Sequence, residues 1–178
     1  MNIAEVNFNF DTKKLKEDLD YIVSRYGWGD LNQISLRHTG KFSTVAEQVR
    51  EGCGSLYDRD SKLLVGQESD YTYTCEFVNN LYIGKVLQVI EHFASNKIGR
   101  ARFMLLPSKT CYSWHKDLDE RRYHVPIVTN PQCMFVTEGD QVLKMPKEGQ
   151  LYTLTSNVWH TALNASWKDR IHLVVSTW

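Results

Sequence analysis

Apolar residues recur every three to four positions in two segments of the N-terminal half, which is the spacing of an amphipathic helix. The first segment, residues 13–26, has Asp11 or Thr12 available to cap its start and Gly27 available to end it. The second segment covers residues 80–94. We therefore predict two helices, each with one buried face.

The rest of the N-terminal half has a weaker pattern. Apolar and polar residues alternate over residues 1–10, which predicts a short strand. From residue 28 to residue 70 no period is sustained, and only a strand at 34–36 and a short helix after Thr44 are indicated. A connection of this length is typical of a lid or a binding loop. A set of short strands with weak signals would give the same pattern, so both interpretations stay open.

Beyond Gly99 the period of the apolar residues changes from helical to the period of two that is typical of strands. Short strands separated by turns favour a double-sheet jelly roll or a small barrel. The predicted strands are residues 100–106, 111–114, 122–129, 133–136, 141–145, 151–155, 158–163 and 170–177. The predicted fold class is therefore mainly β with flanking helices, a double-stranded β-helix (jelly roll) of the cupin-like kind.

A chain of 178 residues fits one domain with a substantial core. We expect a single domain over residues 1–178. Residues 1–98 would form a helical and irregular support with a candidate lid, and residues 99–178 would form the jelly-roll core that carries the metal site.

Composition narrows the class of protein. Lys and Arg number 21 and Asp and Glu number 21, and a net charge of zero argues against binding nucleic acid through a broad basic surface. The chain shows neither a secretory signal nor the roughly 18 consecutive apolar residues of a membrane span. The four cysteines form no Cys-x-x-Cys pair, so we expect reduced thiols and a cytoplasmic protein without a membrane partner.

The strongest chemical signal is a set of two histidines and one aspartate. His115 and Asp117 form a His-x-Asp pair that points to one face of an extended segment, and His160 follows later in the β region. The pair alone is weak evidence, because six histidines and 21 acidic residues make it common by chance. Together, the three residues suit a facial triad that holds Fe(II) and leaves three coordination positions open.

Three further residues fall on predicted strands near this set. Arg170 follows His160 by ten residues in a clean β pattern, where its planar fork could clamp a carboxylate. Arg122 and His124 are two residues apart, so their side chains project to the same face of a strand.

These residues resemble those of Fe(II)- and 2-oxoglutarate-dependent dioxygenases, and within them the aspartyl/asparaginyl β-hydroxylase and proline hydroxylase branch. The resemblance covers roughly residues 100–178. It rests on His115-x-Asp117, Arg122-x-His124-Val125-Pro126, Glu148-Gly149-x-Leu151, His160 and Arg170. Some members of the branch lack the acidic ligand that Asp117 supplies here.

The resemblance implies a role for each of these residues. His115, Asp117 and His160 would bind iron as the catalytic centre, and Arg170 would bind the distal carboxylate of 2-oxoglutarate. Many dioxygenases have a serine where this chain has His172, so Tyr112 and Ser113 are the candidates for a second anchor of that carboxylate. His124 would line the site near 2-oxoglutarate, and Arg122 would bind a carboxylate of the substrate.

The activity implied by the resemblance is hydroxylation of a C–H bond by O2, with 2-oxoglutarate converted to succinate and CO2. The substrate would be a free amino acid, or an amino-acid side chain in a peptide or protein, carrying a carboxylate. Two alternatives stay open. A cupin-type metal enzyme would need the triad but not Arg170, and a non-catalytic module would use the jelly roll only as a scaffold for binding.

Several of these residues also have structural interpretations. Arg122 could pair with Asp119 or Glu120, and His124 could be a core histidine. His172 lies on the same strand face as Arg170 and fits either a supporting or a structural role. Three large aromatic residues, by contrast, are expected in the core rather than in a substrate platform: Trp114, Tyr152 and Trp159.

Overall fold

The computed structural model describes residues 2–58, 60–95, 97–117 and 121–178. Its helices are α1 (Thr12–Tyr26), α2 (Val45–Gln48) and α3 (Tyr82–Phe93), with 3₁₀ turns at Glu68–Asp70 and Glu76–Asn80. Its strands are β1 (Asn2–Asn9), β2 (Gln33–Ser35), β3 (Arg37–His38), β4 (Tyr73–Thr74), β5 (Ile98–Leu106), β6 (Thr110–Cys111), β7 (Arg122–Val128), β8 (Cys133–Thr137), β9 (Val142–Leu143), β10 (Gln150–Thr155), β11 (His160–Asn164) and β12 (Arg170–Thr177). Both predicted long helices and all eight predicted C-terminal strands are present.

The strands form two main antiparallel sheets. Six strands make the larger sheet in the order β1-β10-β7-β12-β5-β2, and four make the smaller sheet in the order β6-β11-β8-β9. From β5 to β12 the chain crosses repeatedly from one sheet to the other, which is the path of a jelly roll. The predicted fold class is therefore confirmed.

The outer face of the larger sheet is apolar and packs against α1 and α3. Successive residues of a strand point to opposite faces, so alternate positions of β5, β7 and β12 form one continuous apolar surface. Members of this core cluster from the sheet are Ala101, Phe103, Tyr123, Val125, Ile127, Leu173 and Val175, and members from the helices include Leu15, Leu19, Ile22, Ile83, Val86 and Ile90. The helices thus cover one face, as predicted.

The inner face of the larger sheet faces the smaller sheet and carries the polar residues. On β12, Val174 pairs with Arg102 of β5 on one side and with His124 of β7 on the other. Side chains of paired residues lie on the same face, so these positions and those two residues away all point inward. Arg102, His124, Arg170 and His172 are consequently buried between the two sheets.

Helix α1 shows how local sequence sets an element's ends. The Asp11 carboxylate accepts hydrogen bonds from the backbone N–H groups of Lys13 and Lys14, 3.0 and 3.2 Å away, and so caps the first turn. Gly27 ends the helix with a φ of +63°, a backbone conformation that glycine adopts without steric cost. The predicted cap and stop residues are both observed.

Residues 28–70, which gave no sustained period, contain short elements joined by loops. The chain here forms β2, β3, α2 and one 3₁₀ turn, and Leu31 and residues 54–57 line the central cavity described below. The interpretation as short strands therefore holds for part of this stretch, and the interpretation as a lid or binding loop stays a prediction. The four cysteines are free thiols, as expected. Within the described ranges, no helix has the length and apolar character needed to cross a membrane.

Candidate metal centre and central cavity

His115 and His160 are brought together by the backbone. They form an isolated antiparallel bridge in which each backbone N–H donates to the carbonyl oxygen of the other residue, at 3.0 and 2.8 Å. Their side chains lie on the same side of the bridge, with ring centroids 4.4 Å apart. The loop that follows β6 and the first residue of β11 thus place two imidazoles side by side.

Asp117 completes the cluster. Its backbone N–H donates to the Ser156 carbonyl oxygen at 3.1 Å, which fixes the chain two residues beyond His115. The carboxylate places Oδ1 3.8 Å from His115 Nε2 and Oδ2 3.6 Å from His160 Nε2. In the described parts of the chain this is the one cluster of three such residues with ligand atoms within 4.8 Å of one another.

Each imidazole is held in the tautomer that a metal ion requires. His115 Nδ1–H donates to the Ser113 carbonyl oxygen at 2.7 Å, and His160 Nδ1–H donates to the Val158 carbonyl oxygen at 2.9 Å. The lone pair of each Nε2 therefore points into the cluster. Burial lowers the pKa of His160, which keeps this imidazole neutral at pH 7 although the Asp117 charge acts in the opposite direction.

The donor set fits a divalent ion of the Fe(II) type. Cis ligands about 2.1 Å from such an ion would lie about 3 Å apart, so the observed 3.6–3.8 Å needs only a small side-chain rotation. The Asp117 carboxylate is mostly buried, with Oδ1 near His115 and Oδ2 near His160. A buried carboxylate beside two imidazoles is a donor set suited to a divalent cation.

Arg122 lies beside this carboxylate. Its Nη1 is 2.9 Å from Asp117 Oδ2, an ion pair between two side chains that are mostly buried. The sequence analysis expected Arg122 to bind either a substrate carboxylate or a nearby acidic residue other than Asp117. Asp119 and Glu120, the partners proposed on structural grounds, lie outside the described residues.

A cavity of about 510 Å³ opens from the cluster between the two sheets. This volume lies in the usual range for sites that bind small molecules. The triad, Arg122, His124 and Arg170 all line it, so the structure brings together every site residue predicted from the sequence.

Arg170 is a buried cation without a protein counter-ion. Its side chain is only 2% exposed, and no carboxylate of the described residues lies within ion-pair distance. Nε and Nη1 are buried without a hydrogen-bond partner, and Cζ lies 5.2 Å from the centroid of the Phe135 ring. An unpaired buried guanidinium is costly unless an anion meets it, so this residue fits the carboxylate-binding role expected of it.

Tyr112 is the better supported of the two candidates for a second anchor. Its hydroxyl is buried without a hydrogen-bond partner and lies in the same cavity. Burial raises the pKa of Tyr112, while the positive charge of the nearby Arg170 partly opposes this rise. The neutral hydroxyl is therefore available as a donor near Arg170. Ser113 also lines the cavity, but its side chain is exposed, so its hydroxyl is not a buried donor that lacks a partner.

His124 and His172 form a buried pair on the inner face. Their Nδ1 atoms are 3.5 Å apart, and the Nε2 atom of each ring has no hydrogen-bond partner. Burial, reinforced by the charge of Arg170, lowers the pKa of both rings well below the ordinary value, so both are neutral. When two neutral imidazoles share a proton between their Nδ1 atoms, one Nε2 carries a hydrogen and the other does not.

Two arginines of β5 also line the cavity and were not singled out from the sequence. Arg100 forms a buried ion pair with Glu68, donating from Nε and Nη2 to Oε1 at 2.8 and 2.6 Å. Burial alone would raise the pKa of Glu68, but the hydrogen bonds and charge of Arg100 outweigh it and lower that pKa. For Arg102, burial and then the charges of Arg100 and Arg122 lower the pKa to about 9, so it stays protonated at pH 7.

A signal for these arginines is present in the sequence. Arg100 and Arg102 alternate with Ala101 and Phe103, so the strand has one basic and one apolar face. A basic strand face normally indicates contact with solvent. Here the second sheet covers that face, which strand alternation alone does not reveal.

The expectation that Trp114 and Trp159 are core residues is wrong. They are 47% and 46% exposed, and each precedes one of the two histidines of the cluster. Because neighbouring residues of an extended chain point to opposite sides, an inward histidine turns the preceding tryptophan outward. Tyr152, in contrast, is buried as predicted.

Two solved structures share the fold of this chain. The chain is similar to a 2-oxoglutarate–Fe(II) oxygenase family oxidoreductase from Burkholderia pseudomallei, with 13% identity, a TM-score of 0.56, and coverage of 98% of this chain and 82% of that one. It is also similar to AviO1 from Streptomyces viridochromogenes Tue57, with 11% identity, a TM-score of 0.55, and coverage of 97% and 87%. At these identities, the likeness shows a shared fold. No curated protein matches the chain.

A sequence profile described as aspartyl/asparaginyl β-hydroxylase matches residues 55–178. This match begins further toward the N-terminus than the motifs on which the resemblance was based. It includes His115, Asp117 and His160, and also residues 55–57, which line the cavity. The resemblance to this branch is thus confirmed. The chain belongs to the aspartyl/asparaginyl β-hydroxylase family.

Proposed function

We propose that this protein is an Fe(II)- and 2-oxoglutarate-dependent oxygenase that hydroxylates a C–H bond of an amino acid, either free or as a side chain in a peptide. Membership of the family supports the hydroxylase class. The observation that carries the cosubstrate assignment is Arg170, a buried guanidinium without a counter-ion in the cavity that also contains the His-Asp-His cluster.

His115, Asp117 and His160 would hold the metal. Both Nε2 lone pairs and the Asp117 carboxylate converge there, and the two Nδ1–H bonds to the backbone keep the rings from rotating. Bound Fe(II) with 2-oxoglutarate and O2 supplies the oxidation, which converts 2-oxoglutarate to succinate and CO2 and hydroxylates the substrate. The Arg122 ion pair would position the Asp117 carboxylate.

Arg170 and Tyr112 would bind the distal carboxylate of 2-oxoglutarate. The guanidinium offers Nε–H and Nη1–H, and the phenol offers O–H, and none of these donors is used by the described protein atoms. Cosubstrate binding would therefore satisfy three buried donors without breaking an existing hydrogen bond. The Phe135 ring lies over the Arg170 guanidinium, and both side chains are buried between the sheets.

His124 would donate a hydrogen bond to the bound cosubstrate. In the tautomer with a proton on His124 Nε2, His172 Nδ1–H donates to His124 Nδ1, so His172 positions its neighbour. Arg122 lines the same cavity and, as the resemblance implies, would also contact a carboxylate of the substrate.

The test is the visible charge-transfer band that Fe(II)-loaded protein develops when 2-oxoglutarate is added without oxygen. We expect the band in the parent protein and in His92→Ala, a control that removes an exposed histidine of α3. His115→Ala and His160→Ala should lose the band because they lose iron. Asp117→Ala should weaken it less, since some members of the branch lack the acidic ligand.

A succinate assay under air accompanies the spectra. A parent protein that binds iron but gives neither the band nor succinate would contradict the proposal and favour a cupin-type enzyme that does not use 2-oxoglutarate. If the histidine variants bound iron as the parent does, the assignment of the triad would be wrong.

A further inference from the structure

The inner face of β5 presents two buried arginines whose surroundings differ. Arg100 is neutralised by Glu68, which also accepts the Arg100 backbone N–H through Oε2 at 2.8 Å. The four oxygen lone-pair directions of Glu68 are thus largely used by this one residue. Arg100 and Glu68 form a closed pair that offers little to a ligand.

Arg102 has no such partner. It is 2% exposed, and among the described residues no carboxylate lies within ion-pair distance of it. Its Nη1 donates to the carbonyl oxygens of Gly54 at 3.1 Å and Gly52 at 3.4 Å, and to Gln33 Oε1 at 3.4 Å. These neutral acceptors hold one corner of the guanidinium. The negative charge of Glu68 also acts on Arg102 and partly opposes the fall in its pKa, but that carboxylate is already paired with Arg100.

On the other edge of the Arg102 guanidinium, Nε is buried without a hydrogen-bond partner. Arg102 is one of the residues that line the cavity containing the His-Asp-His cluster. Nε and Nη2 form the side of the guanidinium fork that matches both oxygens of a carboxylate. A buried charge with an unused fork is costly to maintain, so an anion is the expected occupant.

This position is separate from the one assigned to 2-oxoglutarate. Arg170 pairs with Leu106 of β5, four residues from Arg102, which is roughly 13 Å along the sheet. Arg102 instead lies beside Val174, which in turn pairs with His124. The positive charge of Arg122 lowers the pKa of Arg102, so Arg102 lies toward the end of the inner face that carries the triad. The charges of both arginines act on Tyr112, so the two positions lie in one cavity with Arg102 on the side of Arg122.

We propose that Arg102 is the residue that binds a carboxylate of the substrate, through its Nε–Nη2 edge, with the Gly52–Gly54 loop holding its other corner. This inference rests on the proposed function for the identity of the occupant, because it places a substrate beside the metal and the cosubstrate. It moves the main carboxylate contact from Arg122, which pairs with Asp117, to Arg102. The carboxylate belongs either to a free amino acid or to an acidic side chain in a peptide.

The test follows the Arg102 Nε–H resonance by NMR in protein labelled with 15N-arginine, loaded with Zn(II) in place of iron and saturated with 2-oxoglutarate. The probes are L-alanine and L-proline, which carry only an α-carboxylate, and N-acetyl-L-aspartate α-amide, which carries only a side-chain carboxylate. N-acetyl-L-asparagine amide is the uncharged control. We expect saturable binding of at least one carboxylate probe, which identifies the source of the carboxylate, and none of the uncharged control.

Three variants complete the experiment. Arg102→Met should weaken binding of that probe at least tenfold, Arg102→Lys should weaken it less because the charge remains, and Arg25→Met controls for loss of an exposed arginine on α1. Failure of every carboxylate probe to saturate the parent would overturn the proposal. An unchanged dissociation constant in Arg102→Met would also overturn the proposal. A lower melting temperature in the same variant would then mean that Arg102 only stabilises the Gly52–Gly54 loop.

The two proposals fail in different ways. Absence of the charge-transfer band in the parent would remove 2-oxoglutarate from the function, and the carboxylate titration could then be repeated without it. If Arg102→Met does not fold, the Arg102→Lys dissociation constant and the shift of the Nε–H resonance in the parent still decide whether a carboxylate binds at this residue.

Discussion

Arg170 and Tyr112 carry buried polar groups without hydrogen-bond partners among the described residues. In most proteins a buried polar atom has a partner, and leaving one unpaired costs stability. Here, three donors of these two side chains lack partners within the described structure and lie in the same cavity. Such a set is best explained by a ligand that supplies the missing acceptors.

At the residue scale, Arg170→Ala should therefore weaken 2-oxoglutarate binding strongly. Truncating one partner of a buried charge pair costs about 2–5 kcal/mol, which is roughly tens- to thousands-fold in affinity. Tyr112→Phe loses one hydrogen bond to a charged group, about 1.5–3 kcal/mol, so its effect should be smaller. Titration of the charge-transfer band measures both constants.

Iron binding provides the internal control for these two variants. Neither Arg170 nor Tyr112 belongs to the His-Asp-His cluster, so the dissociation constant for Fe(II) should stay at the parent value in both variants. An Arg170→Ala protein with an unchanged constant for 2-oxoglutarate would rule out the clamp and favour the cupin-type alternative.

At the element scale, the start of α3 depends on a residue of α1. Leu81, the residue before α3, supplies no side-chain cap. Instead, the buried Asp18 carboxylate accepts the Ile83 backbone N–H through Oδ2 at 2.6 Å. Burial raises the pKa of Asp18, while the backbone hydrogen bonds partly offset that rise. This contact joins the two helices that cover the outer face of the larger sheet.

Asp18→Ala should therefore lower the free energy of unfolding by about 1–3 kcal/mol, because it leaves a buried N–H without an acceptor. Asp18→Asn keeps an acceptor oxygen and removes a buried charge, so its loss should be less than half as large. Urea denaturation measures both changes. Asp20→Ala, an exposed position on the same helix, is the matched control and should change stability by no more than about 0.5 kcal/mol. Equal effects of Asp18→Ala and Asp20→Ala would refute the capping role.

At the scale of the whole molecule, a chain with no net charge encloses a positively charged cavity. Arg102 and Arg170 have no acidic partner among the described residues, while most acidic side chains lie at the surface. The same enclosure keeps His124, His160 and His172 neutral, because burial lowers the pKa of each ring. Charge at the centre of the molecule is therefore set by how the sheets pack and not by composition.

The buried histidines predict how stability depends on pH. A histidine with a lowered pKa in the folded state stabilises fully above its unfolded pKa of about 6.5, and this contribution is lost as the pH falls below that value. Each such histidine adds up to about 1.4 kcal/mol per pH unit to the slope. The unfolding free energy of metal-free protein should thus fall steeply from about pH 6.5 toward pH 5.5.

The variant His172→Gln should reduce this slope by up to about 1.4 kcal/mol per pH unit, since one buried group no longer takes up a proton on unfolding. His92→Gln removes an exposed histidine and controls for the substitution itself. Urea denaturation at several pH values gives the slopes. The burial argument fails if His172→Gln and the parent have the same slope.

The amino-acid sequence was sufficient to predict the main secondary-structure elements and to select the candidate site residues. The apolar period changes from helical to alternating after Gly99, and that local property is enough to locate both long helices and all eight C-terminal strands. The His-x-Asp pair, His160 and Arg170 were identified by residue type and spacing, because metal and carboxylate chemistry restricts the residues that can serve. Their resemblance to one family then indicated the class of reaction.

The tertiary structure was needed to show which face of each strand is covered by the second sheet and which is exposed to solvent. Alternation in β5 shows that Arg102 points away from the apolar face, but solvent and a second sheet produce the same sequence pattern. The packing of the smaller sheet over the larger one buries Arg102 and leaves Trp114 and Trp159 exposed, and the loop after β6 brings Asp117 to Arg122. These relations join residues that are distant in sequence or lie in irregular segments, so no local period encodes them.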